Sequence, residues 1–313
     1  MAFQNTYLVT GGAGFIGSHL VERLMTDGHK VRILDDFSTG MHHNLPPGVE
    51  LIDGDIANYS IVNSAMEGVN GCFHLAAISS VEQARLDWIR CNTVNLSGTV
   101  NIFAAACCRD IPVVYASSAA VYGMQSQLPL HEDLPVQPVS IYGADKLGCE
   151  LQANAAAHSY GLRSTGIRIF NCYGPRQRAD SQYAGVISLF CDLLSKNKPI
   201  RIHGDGTQTR DFIYVKDVVD IFILAMEKLR AGSKLSVVNA CTGKQTSIIE
   251  LVEMISCVFK ISPEIYYEQQ RVGDIPYSAG ATKRIGETLR WKPNITLQNG
   301  LCDLIKHLGF SSS

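Results

Sequence analysis

The chain has 313 residues, 46% of them hydrophobic and 18% charged, enough to bury a substantial core and more than one typical doubly wound domain requires. A net charge of -2 leaves no electrostatic footprint for nucleic acid or an anionic membrane, so neither partner is expected and a ligand has to be recognised locally. No basic segment leads into an apolar leader over Met1 to Thr6, and no apolar run reaches the roughly 18 residues of a membrane span, so a cytoplasmic protein is expected. The ten cysteines are scattered through apolar segments without a C-x-x-C pair, which predicts reduced core thiols and no metal site.

In chain order, short apolar runs alternate with amphipathic stretches. Strands are predicted over Tyr7–Thr10, Lys30–Leu34, Val49–Ile52, Cys72–Leu75 and Val113–Ser117, with a helix after the first running to about Met25. This rhythm predicts an α/β fold with a Rossmann-type doubly wound parallel sheet. A helix is predicted from Ser140 toward Ser159, stopped by Gly161, then a strand over Arg163–Phe170. After Asn171 the pattern loosens into a loop over Gly174–Arg178, a helix over Tyr183–Ser195 and a turn at Gly204–Gly206. Two domains are expected. The first covers 1–171 with parts of about 213–240, because Val215–Met226 and Leu235–Asn239 can return to its sheet. A smaller, discontinuous α/β domain covers about 172–212 and 241–313.

The first strand runs into Gly11-Gly12-Ala13-Gly14-Phe15-Ile16-Gly17, which opens directly into a helix. Glycines there permit a tight turn and close backbone approach to a pyrophosphate, and the helix N-terminus supplies free N–H donors. The second strand ends in Asp35-Asp36, an acid at the distance where it binds adenosine ribose hydroxyls and repels a 2′-phosphate. The pattern predicts NAD as cofactor, in contact with Gly11, Gly14, Phe15, Ile16, Gly17, Asp35 and Asp36. Downstream, Asp55-Ile56 is a candidate for the adenine. Leu75-Ala76-Ala77 keeps side chains small where backbone meets the cofactor.

Tyr142 and Lys146 stand four residues apart on one predicted helix face. A free phenol is a poor base at neutral pH, but a nearby cation and the positive nicotinamide ring favour its phenolate, which makes a general base. The preceding strand ends in Ser117-Ser118, at the carboxyl edge of the sheet where ligands bind in open α/β folds. Ser118 is placed beside Tyr142 to exchange a hydrogen bond with a substrate hydroxyl; Ser117 is a second candidate contact, equally well explained as a turn-capping serine.

These segments resemble, in order, the motifs of the extended short-chain dehydrogenase/reductases that act on nucleotide sugars, and within them the NAD-dependent UDP-hexose and UDP-N-acetylhexosamine 4-epimerases. The resemblance is carried by Thr10–Leu20, Ser117–Gly123, Tyr142 with Lys146, Arg168–Pro175, Gly204–Phe212 and Arg271–Asp274, almost the whole chain. It implies a UDP-sugar substrate and assigns Asn95, Ser117, Tyr142, Lys146 and Phe170 to the cofactor. Asn171, Val186, Arg210 and Arg271 are assigned to the substrate, the two arginines as a diphosphate clamp suited by their planar donor forks. Asp274 would hold the uridine ribose, and His203 stands where relatives usually carry an aromatic stacked on uracil. The resemblance further implies a homodimer through the Tyr142 helix and the helix near Asn95–Cys107.

Relatives that dehydrate the sugar carry Thr-Asp-Glu where this chain has Ser118-Ala119-Ala120, and the decarboxylases tend to place Glu at Ala120. Neither reaction is favoured. What the resemblance implies is oxidation at C4 and return of the hydride to the other face of the ketone, with Tyr142 taking the O4 proton, Lys146 holding the nicotinamide ribose and Ser118 orienting the hydroxyl. Position 278, bulky tyrosine in relatives restricted to unsubstituted hexoses, is Ser278, which implies room for a 2-N-acetyl group. Arg178 in Pro175-Arg176-Gln177-Arg178 also resembles UDP-glucuronate 4-epimerases, although those usually have threonine at Asn171, so glucuronate is the alternative substrate. A non-catalytic NAD-binding regulator is a third reading, disfavoured because the tyrosine and the lysine are both present.

Overall fold

The computed structural model describes residues 4–178, 185–270 and 275–310, which form two compact units. In chain order the elements begin with β1 (Thr6–Thr10), α1 (Phe15–Thr26), β2 (Lys30–Asp35), β3 (Glu50–Asp53), α2 (Tyr59–Ala65) and β4 (Gly71–His74). A nearly continuous helix follows: α3 (Val81–Leu86), α4 (Trp88–Asn92), a π-helical turn (Thr93–Gly98) and α5 (Thr99–Cys107). Next come β5 (Val113–Ser118), a 3-10 turn (Ala119–Tyr122), α6 (Ile141–Tyr160), β6 (Ser164–Ile169) and β7 (Asn171–Tyr173). The remainder is α7 (Val186–Ser195), β8 (Ile200–His203), β9 (Thr209–Arg210), β10 (Phe212–Tyr214), α8 (Val215–Arg230), β11 (Val237–Ala240), β12 (Thr246–Ser247), α9 (Ile248–Phe259), β13 (Ile265–Glu268), α10 (Lys283–Leu289) and α11 (Leu297–His307).

The first unit comprises 1–123, 135–169 and 219–238. Its sheet has the strand order β11-β6-β5-β4-β1-β2-β3, with parallel pairing from β6 through β3. The order reverses between β1 and β4, the switch point at which ligands bind doubly wound sheets. Strands buried on both faces read as continuous apolar runs, and Leu8, Val9, Ile33, Leu34, Val113 and Val114 are all fully buried. One face packs on α2, α5 and α6 through Val62, Ile102, Phe103, Cys149 and Ala153. The sequence-based boundaries of α6 agree with its caps: Ser140 Oγ accepts from Gly143 N, and Gly161 ends the helix at φ 73°.

The second unit comprises 124–134, 170–218 and 239–313. Its strands form three small pairs, β7 with β10 and β8 with β13 in parallel and β9 with β12 antiparallel. The segment 124–134, which sequence reasoning grouped with the first domain, belongs here. Leu130 exchanges backbone bonds with Ala279 and Ala281, and Glu132 accepts from Asn239 N. Among the described residues no helix is long and apolar enough to cross a membrane, and all ten cysteines are free thiols.

Candidate active site

The glycine loop is built by exclusion of side chains. A Cβ on Gly17 would stand 2.0 Å from Gly11 O, and Gly11, at φ 69°, would drive one to 2.6 Å from Ala76 N, so the turn brings loop, helix and the end of β4 into backbone contact. Gly14 precedes α1 in extended conformation, leaving the first N–H groups of Phe15, Ile16 and Gly17 at the helix N-terminus. Asp35 is buried and accepts from Ala13 N and Phe37 N, both at 2.9 Å, which ties the loop to the end of β2. Burial pushes its carboxyl above the usual range while these two backbone bonds pull it down. A carboxylate has about four acceptor sites, so Asp35 retains capacity for ribose hydroxyls. This cradle of absent side chains plus a ribose-binding acid fits an adenine dinucleotide. Arg90 on α4 spans the two other acids of that edge, 2.7 Å from Asp55 and 3.6 Å from Asp36. Ile56, beside Asp55, turns its side chain into the core.

Behind the loop lies a buried relay. Ala76 N donates to Thr10 Oγ1, Thr99 Oγ1 donates to Asn95 O, and His74 bridges the two hydroxyls at 2.7 and 2.9 Å. Thr99 can then only accept from Nε2–H and Thr10 donates to Nδ1, which assigns the tautomer from the network. Full burial, with Lys146 as a secondary cause, lowers the His74 pKa to about 3 and keeps the ring neutral. Asn95, assigned to the cofactor by resemblance, is fully buried and its amide is engaged with Ile78 N, Ile78 O and Cys91 Sγ. Its contribution in this structure is to hold the chain that leaves Leu75-Ala76-Ala77.

The structure brings Ser118, Tyr142 and Lys146 into one neighbourhood. Ser118 ends β5 and caps the 3-10 turn, its Oγ accepting from Ala120 N at 3.1 Å. Gly143 lets α6 press on that turn, since a Cβ there would meet Ala120 O at 2.7 Å. Lys146 is buried, donates to Ala116 O at 2.8 Å and stands 5.9 Å from the centroid of the half-buried Tyr142 ring. Ser117 faces the other way. Its hydroxyl donates to Glu150 at 2.5 Å, in the contact between helix and strand.

In the second unit, Arg210 donates to Thr209 O and Ile275 O, and Asp211, fully buried, accepts from Thr242 N, Thr242 Oγ1, Gly243 N and Gly280 N. That carboxylate fixes three segments: the Arg210 strand, the turn after β11 and the stretch holding Ser278, which is 9% exposed. Burial raises the Asp211 carboxyl against the downward pull of its donors. Phe170 is buried against Gly280, Asn171 is exposed with its N–H bonded to Asp211 O, and Val186 opens α7 half-buried. His203 sits at the end of β8 with Nδ1 3.4 Å from Gln269 O, and Arg178 is exposed. Arg271 and Asp274 lie outside the described residues. Sequence reasoning passed over His74, Arg90, Glu150, Arg168 and Asp211. Only Glu150 left a usable signal, a third polar residue at helical spacing after Tyr142 and Lys146.

A dinucleotide cradle at the switch point of a Rossmann sheet, with a Tyr-Lys pair and a serine at its carboxyl edge, defines an NAD-dependent enzyme of the nucleotide-sugar type. The model of the NAD dependent epimerase/dehydratase family matches residues 7–241, and the chain belongs to that family. The UDP-glucose 4-epimerase of Mycolicibacterium smegmatis is 36% identical over 307 residues, 96% of this chain and 97% of its own. The UDP-N-acetylglucosamine 4-epimerase of Methanobrevibacter ruminantium, solved with UDP-N-acetylmuramic acid, matches with a TM-score of 0.93 at 35% identity over 97% of this chain and 98% of its own. The UDP-glucose 4-epimerase of Thermotoga maritima, solved with UDP-glucose, gives 0.93 at 30% identity over the same shares.

Proposed function

We propose that the protein is a UDP-sugar 4-epimerase that interconverts UDP-N-acetylglucosamine and UDP-N-acetylgalactosamine and also accepts UDP-glucose and UDP-galactose. Relatives of both kinds, at 30 to 36% identity over nearly the whole chain, support the reaction. The N-acetyl preference rests on Ser278, a small buried side chain where hexose-restricted relatives carry a bulky tyrosine.

NAD supplies a hydride acceptor that becomes the donor within the same turnover. Tyr142 takes the O4 proton and later returns it, Ser118 orients that hydroxyl, and Lys146 holds the nicotinamide ribose and favours the phenolate. Gly11, Gly14, Phe15, Ile16 and Gly17 receive the pyrophosphate, and Asp35 the adenosine ribose. The groups assigned to the nucleotide, Asn171, Val186, His203, Arg210, Arg271 and Asp274, all belong to the second unit. A diphosphate held there lets the ketone present its other face.

Purified protein incubated with UDP-GlcNAc and no added NAD should form UDP-GalNAc; its absence, with NAD shown to be bound, refutes the assignment. Ser278→Tyr should impair N-acetylated substrates selectively, and equal losses on UDP-glucose would remove position 278 as the gate. UDP-glucuronate belongs in the same assay because of Arg178. A homodimer is part of the proposal: Leu86, Trp88, Ile89 and Val100 on the α3–α5 stretch and Leu151 and Tyr160 on α6 are exposed. Sedimentation equilibrium tests it.

A further inference from the structure

Tyr142, Lys146 and Glu150 follow one another at intervals of four along α6, so three ionisable side chains share one helix face. The first two belong to the hydride site. Glu150 does not, yet it is buried, and a buried carboxylate is costly unless fully hydrogen-bonded. Its partners are specific. Arg168 donates through Nε at 2.9 Å and Nη2 at 2.7 Å, a forked ion pair, and Ser117 Oγ donates to Oε1 at 2.5 Å. Arg168 also lies over the Tyr122 ring, 4.8 Å from its centroid.

Ser117 and Arg168 are direct neighbours across β5 and β6, so one carboxylate on the helix grips the tips of two adjacent strands. The residues on either side of Ser117 carry the chemistry. Ala116 O accepts from Lys146, and Ser118 starts the turn that Tyr122 closes. The three groups assigned to O4 and the nicotinamide ribose come from two elements, and the Glu150 cluster is the polar bond network between those elements.

We propose that Glu150 is a positioning residue of the hydride site: through Ser117 and Arg168 it sets the register of the β5 tip against α6, and so the placement of Ser118 relative to Tyr142 and Lys146. Net stability does not account for the cluster, because a buried ion pair replaced by apolar side chains of similar volume is often neutral or stabilising, whereas its geometry fixes a unique arrangement. A misplacement of about 1 Å costs on the order of 10²-fold in rate.

This inference rests on the epimerase reading and is tested on the holoenzyme with Glu150→Leu/Arg168→Met, which replaces the pair by apolar side chains. With NAD added to saturation, the double variant should melt at or above the wild-type temperature. Its kcat should fall about 10²-fold while KM for the UDP-sugar stays within about twofold. Wild-type kcat, or a raised KM at unchanged kcat, would overturn the proposal. Should the double variant not fold, Ser117→Ala decides: a fall in kcat of roughly 3- to 10-fold at unchanged KM is expected from losing one charge-assisted bond, and an unchanged kcat overturns it. Wild type is assayed in parallel on UDP-GlcNAc, UDP-glucose and UDP-glucuronate. If it turns over none of them, the epimerase reading fails on its own, and NAD release then judges the positioning role: about tenfold faster in the folded double variant, or in Ser117→Ala in its absence, because Lys146 loses its alignment, with unchanged release refuting it.

Discussion

Replacing His74 by glutamine isolates a titration buried under the dinucleotide loop. In the folded chain the ring is fully buried, neutral and bridged between Thr10 and Thr99, with its pKa lowered from 6.5 to about 3. Between those values the unfolded chain holds a proton that the folded chain refuses, so stability rises with pH in this window. The contribution is fully present above about pH 6.5 and is lost as pH falls toward about 3. At 1.36 kcal/mol per pKa unit the limiting loss is roughly 5 kcal/mol, and between about pH 7.5 and about pH 5 it is roughly 2 kcal/mol. Glutamine keeps two hydrogen-bonding ends and does not titrate. Urea unfolding at saturating NAD should show wild type losing about 2 kcal/mol more than His74→Gln over that interval, whatever offset the substitution adds at neutral pH. Parallel pH dependences for the two proteins would refute the reasoning, since they would mean that His74 carries its proton in the folded state.

Three further outcomes follow from the site. Tyr142→Phe should keep NAD bound and lose about 10² to 10⁴-fold in kcat, measured as sugar interconversion at saturating substrate; wild-type-like turnover would remove the base. Gly17→Ala should abolish NAD binding in a titration calorimeter, because the added carbon would lie 2.0 Å from Gly11 O and the loop cannot yield without losing its contact with Ala76. Asp35→Ser should weaken NAD and narrow the NAD-over-NADP preference by removing the charge that opposes a 2′-phosphate, so an unchanged ratio of dissociation constants would count against that acid as the selector.

The parallel sheet was legible because buried strands carry uninterrupted apolar runs and because Ser140 and Gly161 mark the ends of α6 by local chemistry. The glycine loop was legible for the same reason, a backbone requirement written directly in residue type. The second unit was not, because β7, β9, β10 and β12 are two or three residues long and held by pairings distant in sequence, with Asp211 as a hub that no local pattern announces. The reassignment of 124–134 has the same origin: Leu130 and Glu132 find their partners more than a hundred residues away. Ser117 and Asn95 show a different limit. Motif position placed both near the cofactor, whereas their side-chain bonds run to Glu150 and Ile78.

The π-helical turn over Thr93–Gly98 gives the chain a constraint on length that composition does not reveal. That turn is wider than an α turn, and its interior is closed by Thr99 Oγ1 and Cys149 Sγ donating to Asn95 O, while Gly98 lies against Ile56. Loss of one residue there would let the segment tighten to α, and each residue turns a helix by about 100°. With Asn95 clamped to Ile78, that rotation would fall on α5, carrying Ile102 and Phe103 out of the core they now fill. Six ordinary helical residues would therefore tolerate side-chain change far better than a change in their number, the reverse of what a surface loop allows.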